Sequence, residues 1–114
     1  MKEFIKVMKA VSDPMRVKIV KMLQVKMMCV CEIQAALGLA QSSTSKHLKL
    51  LEDAGFITFH KDGLWVNYSL VADSKSPYVA SLLENFTHWL EDDEDIIELL
   101  EQLPQIDRKI IRGL

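Results

Sequence analysis

Cys29-Val-Cys-Glu-Ile-Gln-Ala-Ala-Leu-Gly38-Leu-Ala-Gln-Ser-Ser-Thr-Ser-Lys-His-Leu-Lys-Leu-Leu-Glu-Asp-Ala-Gly55 decides how the chain folds. Two short helical segments flank Gly38, which fits a helix stop or tight turn because glycine takes positive φ cheaply. The first, residues 29–37, turns Ile33, Ala36 and Leu37 inward and opens with the only two cysteines in the sequence. The second, roughly residues 41–53, sets Thr44, Leu48 and Leu51 on a core-facing stripe at spacings of four and three. Ser43, Lys46, His47, Lys49 and Leu50 fall to its sides or outward, and Gly55 ends it.

Beyond Gly55 the hydrophobic period changes from helical to two. Phe56-Ile-Thr-Phe-His60 and Trp65-Val-Asn-Tyr-Ser-Leu70 flank Lys61-Asp-Gly-Leu64, and Asp-Gly between such runs signals a β-hairpin. Two short helices around a glycine turn, followed by a hairpin, make a winged helix–turn–helix, a mainly α fold with a small β-hairpin. The expected organisation is a single domain over residues 1–114. The helix–turn–helix occupies about 29–53, the wing about 56–70 and the C-terminal helices about 77–113.

This order of elements suits double-stranded DNA. Small polar side chains at the front of the second helix can approach base edges, and that end presents free N–H groups to phosphates. Gln41 can pair bidentately with adenine, and Ser42, Ser43 and Ser45 can bond bases or phosphates. Thr44 packs inward. Lys46, His47 and Lys49 supply phosphate contacts, which position without specifying. His60 and Lys61, at the expected hairpin tip, reach the neighbouring minor groove or backbone. Two plainer readings stand beside this one: a winged helix that makes only protein contacts, and Ser42 or Ser43 as the cap of a helix that starts later.

On either side, Phe4, Ile5, Met8 and Val11 recur at helical spacing. Asp13 and Pro14 then start a helix running to about Gln24, with Met15, Ile19, Val20 and Leu23 on its stripe and Arg16, Lys18 and Lys21 outside. After the wing, Pro77 starts a helix striped by Val79, Leu82, Leu83, Phe86 and Leu90. The acidic run Glu91 to Asp95 interrupts or exposes it, Ile96 to Leu103 resume the pattern, and 105–113 form a last turn or two.

The net charge of −2 hides an asymmetry: residues 1–75 carry +4 and residues 76–114 carry −6, which suggests a basic working face and an acidic tail section. A domain with so few cations binds DNA weakly alone, so a symmetric dimer reading an inverted repeat is expected. No apolar run is long enough to span a membrane. With charges in Met1-Lys-Glu-Phe-Ile-Lys6 where a signal peptide needs an apolar stretch, a cytoplasmic location is expected. The three histidines fall on different elements and no phosphate loop appears, which argues against an enzyme.

The cysteines admit three roles: small hydrophobes at a helix start, a redox pair, or soft metal ligands. A bridge between them closes almost no loop, so it cannot staple the fold. Two residues apart on a regular helix point about 200° from each other. Binding one ion through both therefore predicts a distorted first turn, in the helix that buttresses the reading helix.

Ala10-Val-Ser-Asp-Pro-Met-Arg-Val-Lys-Ile-Val20, Ser45-Lys-His-Leu-Lys-Leu-Leu-Glu-Asp-Ala-Gly55 and Lys61-Asp-Gly with Trp65 to Leu70 together resemble the ArsR/SmtB family of metal-sensing winged-helix repressors. Met28-Cys-Val-Cys-Glu-Ile33 resembles the signature of its arsenic, antimony, cadmium and lead branch. The resemblance implies a homodimeric repressor, paired through its terminal helices. It implies release from operator DNA when As(III) or Sb(III) binds Cys29 and Cys31. Cd(II) or Pb(II) at the same pair, or thiol oxidation, is the alternative. Four positions depart from the family pattern. Gln34 stands where the arsenic sensors often carry a third cysteine, Ala40 where a serine cap is usual, Ser42 where proline is usual, and Leu64 where the wing often has arginine. His88 lacks the paired ligand of the zinc-type site.

Overall fold

The computed structural model describes residues 1–111. The helices are α1 (Lys2–Ala10), α2 (Pro14–Val25), α3 (Val30–Leu37), α4 (Gln41–Asp53), α5 (Pro77–Phe86), α6 (Glu94–Gln102) and α7 (Arg108–Ile111). The strands are β1 (Met28–Cys29), β2 (Ile57–Asp62) and β3 (Trp65–Leu70), and a 3-10 turn spans Leu103–Gln105. The winged helix–turn–helix expected from the sequence is present. Of the expected terminal stretch 105–113, Arg108–Ile111 is helical, and positions 112 and 113 lie outside the described residues.

Local chemistry explains the boundaries. Asp13 caps α2, its Oδ2 accepting the N–H groups of Met15 at 2.9 Å and Arg16 at 3.2 Å, and Pro14 follows where its missing N–H costs nothing. Gly38 closes α3 at φ 67°, a left-handed conformation that a Cβ makes unfavourable. The acidic run also has a structural account. α5 ends at Phe86, well before it, and Asp93 caps α6 by accepting the N–H of Ile96 at 3.1 Å. Glu94 and Asp95 then lie in the first turn of α6, where negative charge complements the helix dipole.

The sheet departs from the expected simple hairpin. Met28 and Cys29 form a third strand, giving the order β1-β3-β2 with Met28 opposite Tyr68 and Cys29 opposite Asn67. A two-residue extended piece has no readable period, so the sequence shows it only as a connection. The hairpin itself turns at Gly63 and Leu64, because Asp62 still pairs with Trp65. Gly63 takes φ 61° at the first turn position, as a II′-type turn requires.

The core joins Ile19, Val20 and Met22 of α2 to Ile33 of α3, Leu48 and Leu51 of α4, and Phe56 beside the wing. Lys21, expected outside, is instead buried at 5% exposure. Its Nζ donates to Phe86 O at 2.7 Å and Trp89 O at 2.9 Å, holding the carbonyl end of α5. A charged donor between two carbonyls is satisfied inside, which hydrophobic periodicity does not reveal. Lys21→Met strands both carbonyls and is expected to lower the unfolding free energy by about 2 kcal/mol. Urea denaturation checks this, and an unchanged midpoint contradicts the role.

Candidate thiol site and nucleic-acid interface

The cysteine pair straddles a boundary between elements. Cys29 ends β1 and serves as the residue before α3, with extended backbone (φ −83°, ψ 166°), while Cys31 lies in the first turn. This corrects the 200° argument, which assumed that both residues belong to the helix. Their Sγ atoms stand 2.8 Å apart. The pair converges without any distortion, because the extended residue turns its side chain back over the helix start.

Cys29 is buried and Cys31 is half-buried. Burial first, then the bond to the Cys31 thiol, pushes the Cys29 thiol up to about 12. The nearby Glu32 carboxylate contributes in the same direction by charge, while the backbone bond at Glu32 opposes it. Cys29 therefore holds its proton near neutral pH. Glu32, a missed residue, organises this corner: its Oε1 accepts the N–H of Cys29 at 2.9 Å.

The thiols open onto a cavity of about 360 Å³ whose walls include Cys29, Cys31, Gln34, Gln41, Ser45 and Trp65. Gln34, in the place of a third cysteine, lines it with an amide. Gln41 and Ser45 come from the front of α4 and Trp65 from the wing, so one pocket touches the thiol helix, the reading helix and the wing. The donor set suits a soft ion taking two thiolates and keeping a solvent-derived oxygen ligand. With metal–sulfur bonds of about 2.3 Å, two thiolates on one ion stand about 3.5 Å apart. Two thiolates on one ion therefore stand farther apart than the 2.8 Å seen here.

α4 starts at Gln41 with Ala40 as its cap residue, and no side chain caps it. The later start, capped by Ser42 or Ser43, is not what forms. The first-turn N–H groups are left for an outside acceptor. Gln41, Ser42, Ser43, Ser45, Lys46 and Lys49 are exposed along α4, while Thr44 is buried with its hydroxyl donating to Ala40 O at 3.0 Å. Lys49 also pairs with Asp53 at 3.2 Å. His60 and Lys61 are exposed on β2, three and two residues short of the turn at Gly63, rather than at the tip.

His47 parts from this group. Its Nδ1 stands 3.1 Å from Arg16 Nη1 and 3.8 Å from Asp13 Oδ2, facing α2. Arg16 also donates to Ala10 O at 2.7 Å. The ring thus ties the reading helix to the α1–α2 corner. The Ser-Asp-Pro phrase was legible as a helix start, but its long-range bond to His47 was not.

Residues 13–58 match the model of the family described as "Bacterial regulatory protein, arsR family". The chain is 40% identical over 68 residues to the uncharacterized HTH-type transcriptional regulator MJ1325 of Methanocaldococcus jannaschii, covering 59% of this chain and 76% of that protein. It is 37% identical over 67 residues to the arsenical resistance operon repressor of Escherichia coli, covering 58% of this chain and 57% of that one. The matched segment thus spans only about half the length of that repressor. The structure superposes on HlyU from Vibrio cholerae with a TM-score of 0.66 and 28% identity, over 81% of this chain and 95% of HlyU. By sequence and by fold, the chain belongs to the arsR family of bacterial regulatory proteins, winged helix–turn–helix DNA-binding repressors rather than enzymes.

Proposed function

We propose that this chain is a dimeric repressor that leaves its operator when As(III) or Sb(III) binds Cys29 and Cys31. The observation that carries this reading is the shared pocket: the thiols and two α4 side chains, Gln41 and Ser45, line one cavity. An ion there sits against the residues that face DNA. The family's metal responsiveness, and the arsenical resistance named in the similar repressor, support the choice of ion.

Dimerisation has support of its own. Val7 and Ala10 face the core, whereas Phe4, Ile5, Met8 and Tyr78 leave an exposed apolar face across α1 and α5. Phe4 and Tyr78 meet edge to face at 5.2 Å. This face fits a second copy placing two α4 helices on successive major grooves.

The reading face is Gln41, Ser42, Ser43, Ser45, Lys46 and Lys49, with His60 and Lys61 on the wing and His47 as a positioning group. Gln41→Ala with Ser43→Ala is expected to weaken operator binding by about 2–4 kcal/mol, from the loss of base-edge contacts. Fluorescence anisotropy at stated salt checks it, and an unchanged affinity assigns the reading to another face.

A second reading is favoured by the proximity of the two sulfurs: oxidation of the pair, with DNA release by peroxide. Release by peroxide and not by arsenite would decide for it.

A further inference from the structure

The C-terminal segment is tied across the thiol helix and the wing. Lys26 Nζ donates to Leu103 O and Ile106 O, each at 3.1 Å. Next, the backbone N–H of Arg108 donates to Glu32 Oε2 at 3.1 Å. The Arg108 guanidinium donates to Asn67 Oδ1 at 2.9 Å and lies 4.8 Å from the centre of the Trp65 ring. The other oxygen of Glu32 holds the N–H of Cys29. One carboxylate therefore connects Cys29 to Arg108, and Arg108 connects α3 to β3.

We propose that Glu32 and Arg108 are positioning residues that make the C-terminal segment a latch. Closed, it holds the wing in register with the thiol helix for DNA binding, and occupation of the Cys29/Cys31 pair opens it. The proposal rests on the thiol-sensing reading above and adds a route from the ion to the wing.

The geometry makes the route short. Spreading the sulfurs beyond what rotation about χ1 supplies moves either the Cys29 backbone or the first turn of α3, which carries Glu32. Both movements stretch the Cys29 N–H to Glu32 bond. A carboxylate is a rigid plane, so a shift at one oxygen carries to the other, which holds the Arg108 N–H. Glu32 is 8% exposed and Asn67 2% exposed, so water does not readily replace a lost bond at either end. Bonds to a charged carboxylate or guanidinium are stronger than neutral ones, and the ring contact adds to them. Asn67 is also the residue opposite Cys29 in the sheet. The wing is thus fixed to the sensor twice, through β1 and through Arg108.

Two measurements on the full chain test the latch. Arg108→Ala, without inducer, is expected to weaken operator affinity at least about fivefold. The slope of log affinity against log salt should stay the same, since a lost phosphate contact would lower it by about 1. Unchanged affinity, or a changed slope, overturns the positioning role. The second measurement follows tryptic cleavage after Arg108 by mass, before and after adding phenylarsine oxide, with occupancy scored by loss of titratable thiol. Faster cleavage on occupancy is expected. Occupied thiols with an unchanged rate overturn the latch and leave the sensor standing. Thiols that the arsenical fails to occupy refute the sensor instead, and an Arg108→Ala affinity equal to wild type then refutes the wing-positioning role as well.

Discussion

Replacing Cys29 and Cys31 together by serine is expected to leave DNA binding in place and to abolish its release by arsenite. Serine is close to cysteine in size, so buried Cys29 and the start of α3 can keep their packing. The Cys29 backbone N–H bonds Glu32 whatever the side chain, and a serine hydroxyl can accept the Glu32 N–H that the thiol accepts at the start of α3. What disappears is the pair of soft ligands. Hydroxyls hold their protons and bind soft ions poorly. The expected loss of arsenite affinity is at least about a hundredfold, or about 2.7 kcal/mol. Anisotropy of a labelled DNA fragment, selected for tight binding, reads both quantities in one titration. Release of the double-serine protein at wild-type arsenite concentrations places the sensor elsewhere. Loss of DNA binding without inducer shows instead that the thiols serve the fold.

The second large effect concerns pH and separates the candidate ions. Burial pushes the Cys29 thiol up to about 12, so near pH 7 this group is protonated. Cd(II) must displace that proton to form its bond. Its apparent affinity should therefore rise about tenfold per pH unit on account of Cys29, or about a hundredfold from pH 6 to pH 8. Arsenite enters as neutral As(OH)3. Each thiol gives its proton to a departing hydroxyl, one As–O bond breaks as one As–S bond forms, and a water leaves. Two such exchanges give a dithiolate that keeps one hydroxyl on arsenic, with no net proton released. Arsenite affinity should accordingly stay flat over the same range. Binding titrations at three pH values check both signs. An arsenite affinity that falls about tenfold per unit, as uptake of a proton by an already ionised thiolate requires, contradicts the protonated state assigned to Cys29.

Much of the architecture was legible because it is written in period and punctuation. Thr44, Leu48 and Leu51 carry the helical spacing, Asp13-Pro14 a start, Gly38 a stop, and Gly63 a turn. Each is a local signal with a local cause. The parts that escaped are long-range or aperiodic. β1 is two residues long and exists because β3 offers it an edge. Cys29 therefore read as helical, and the 200° divergence assigned to the two thiols followed from that error. Lys21 read as surface because lysine usually is, yet two carbonyls at the end of α5 satisfy it inside. Glu32 and Arg108 are 76 residues apart, and no spacing rule connects them. The thiol pair was legible as chemistry. Its position against Gln41, Ser45 and Trp65 emerged only from the fold.

If Cys29 and Cys31 are the sensor, one ion at the pair and operator DNA oppose each other. The most direct measurement is the arsenite affinity of wild-type protein with and without saturating operator DNA. Linkage requires the weakening of arsenite binding by DNA to equal the weakening of DNA binding by arsenite, expected at about 5- to 150-fold. Equal factors in that range are the predicted result. An arsenite affinity that is the same on and off DNA would contradict the account.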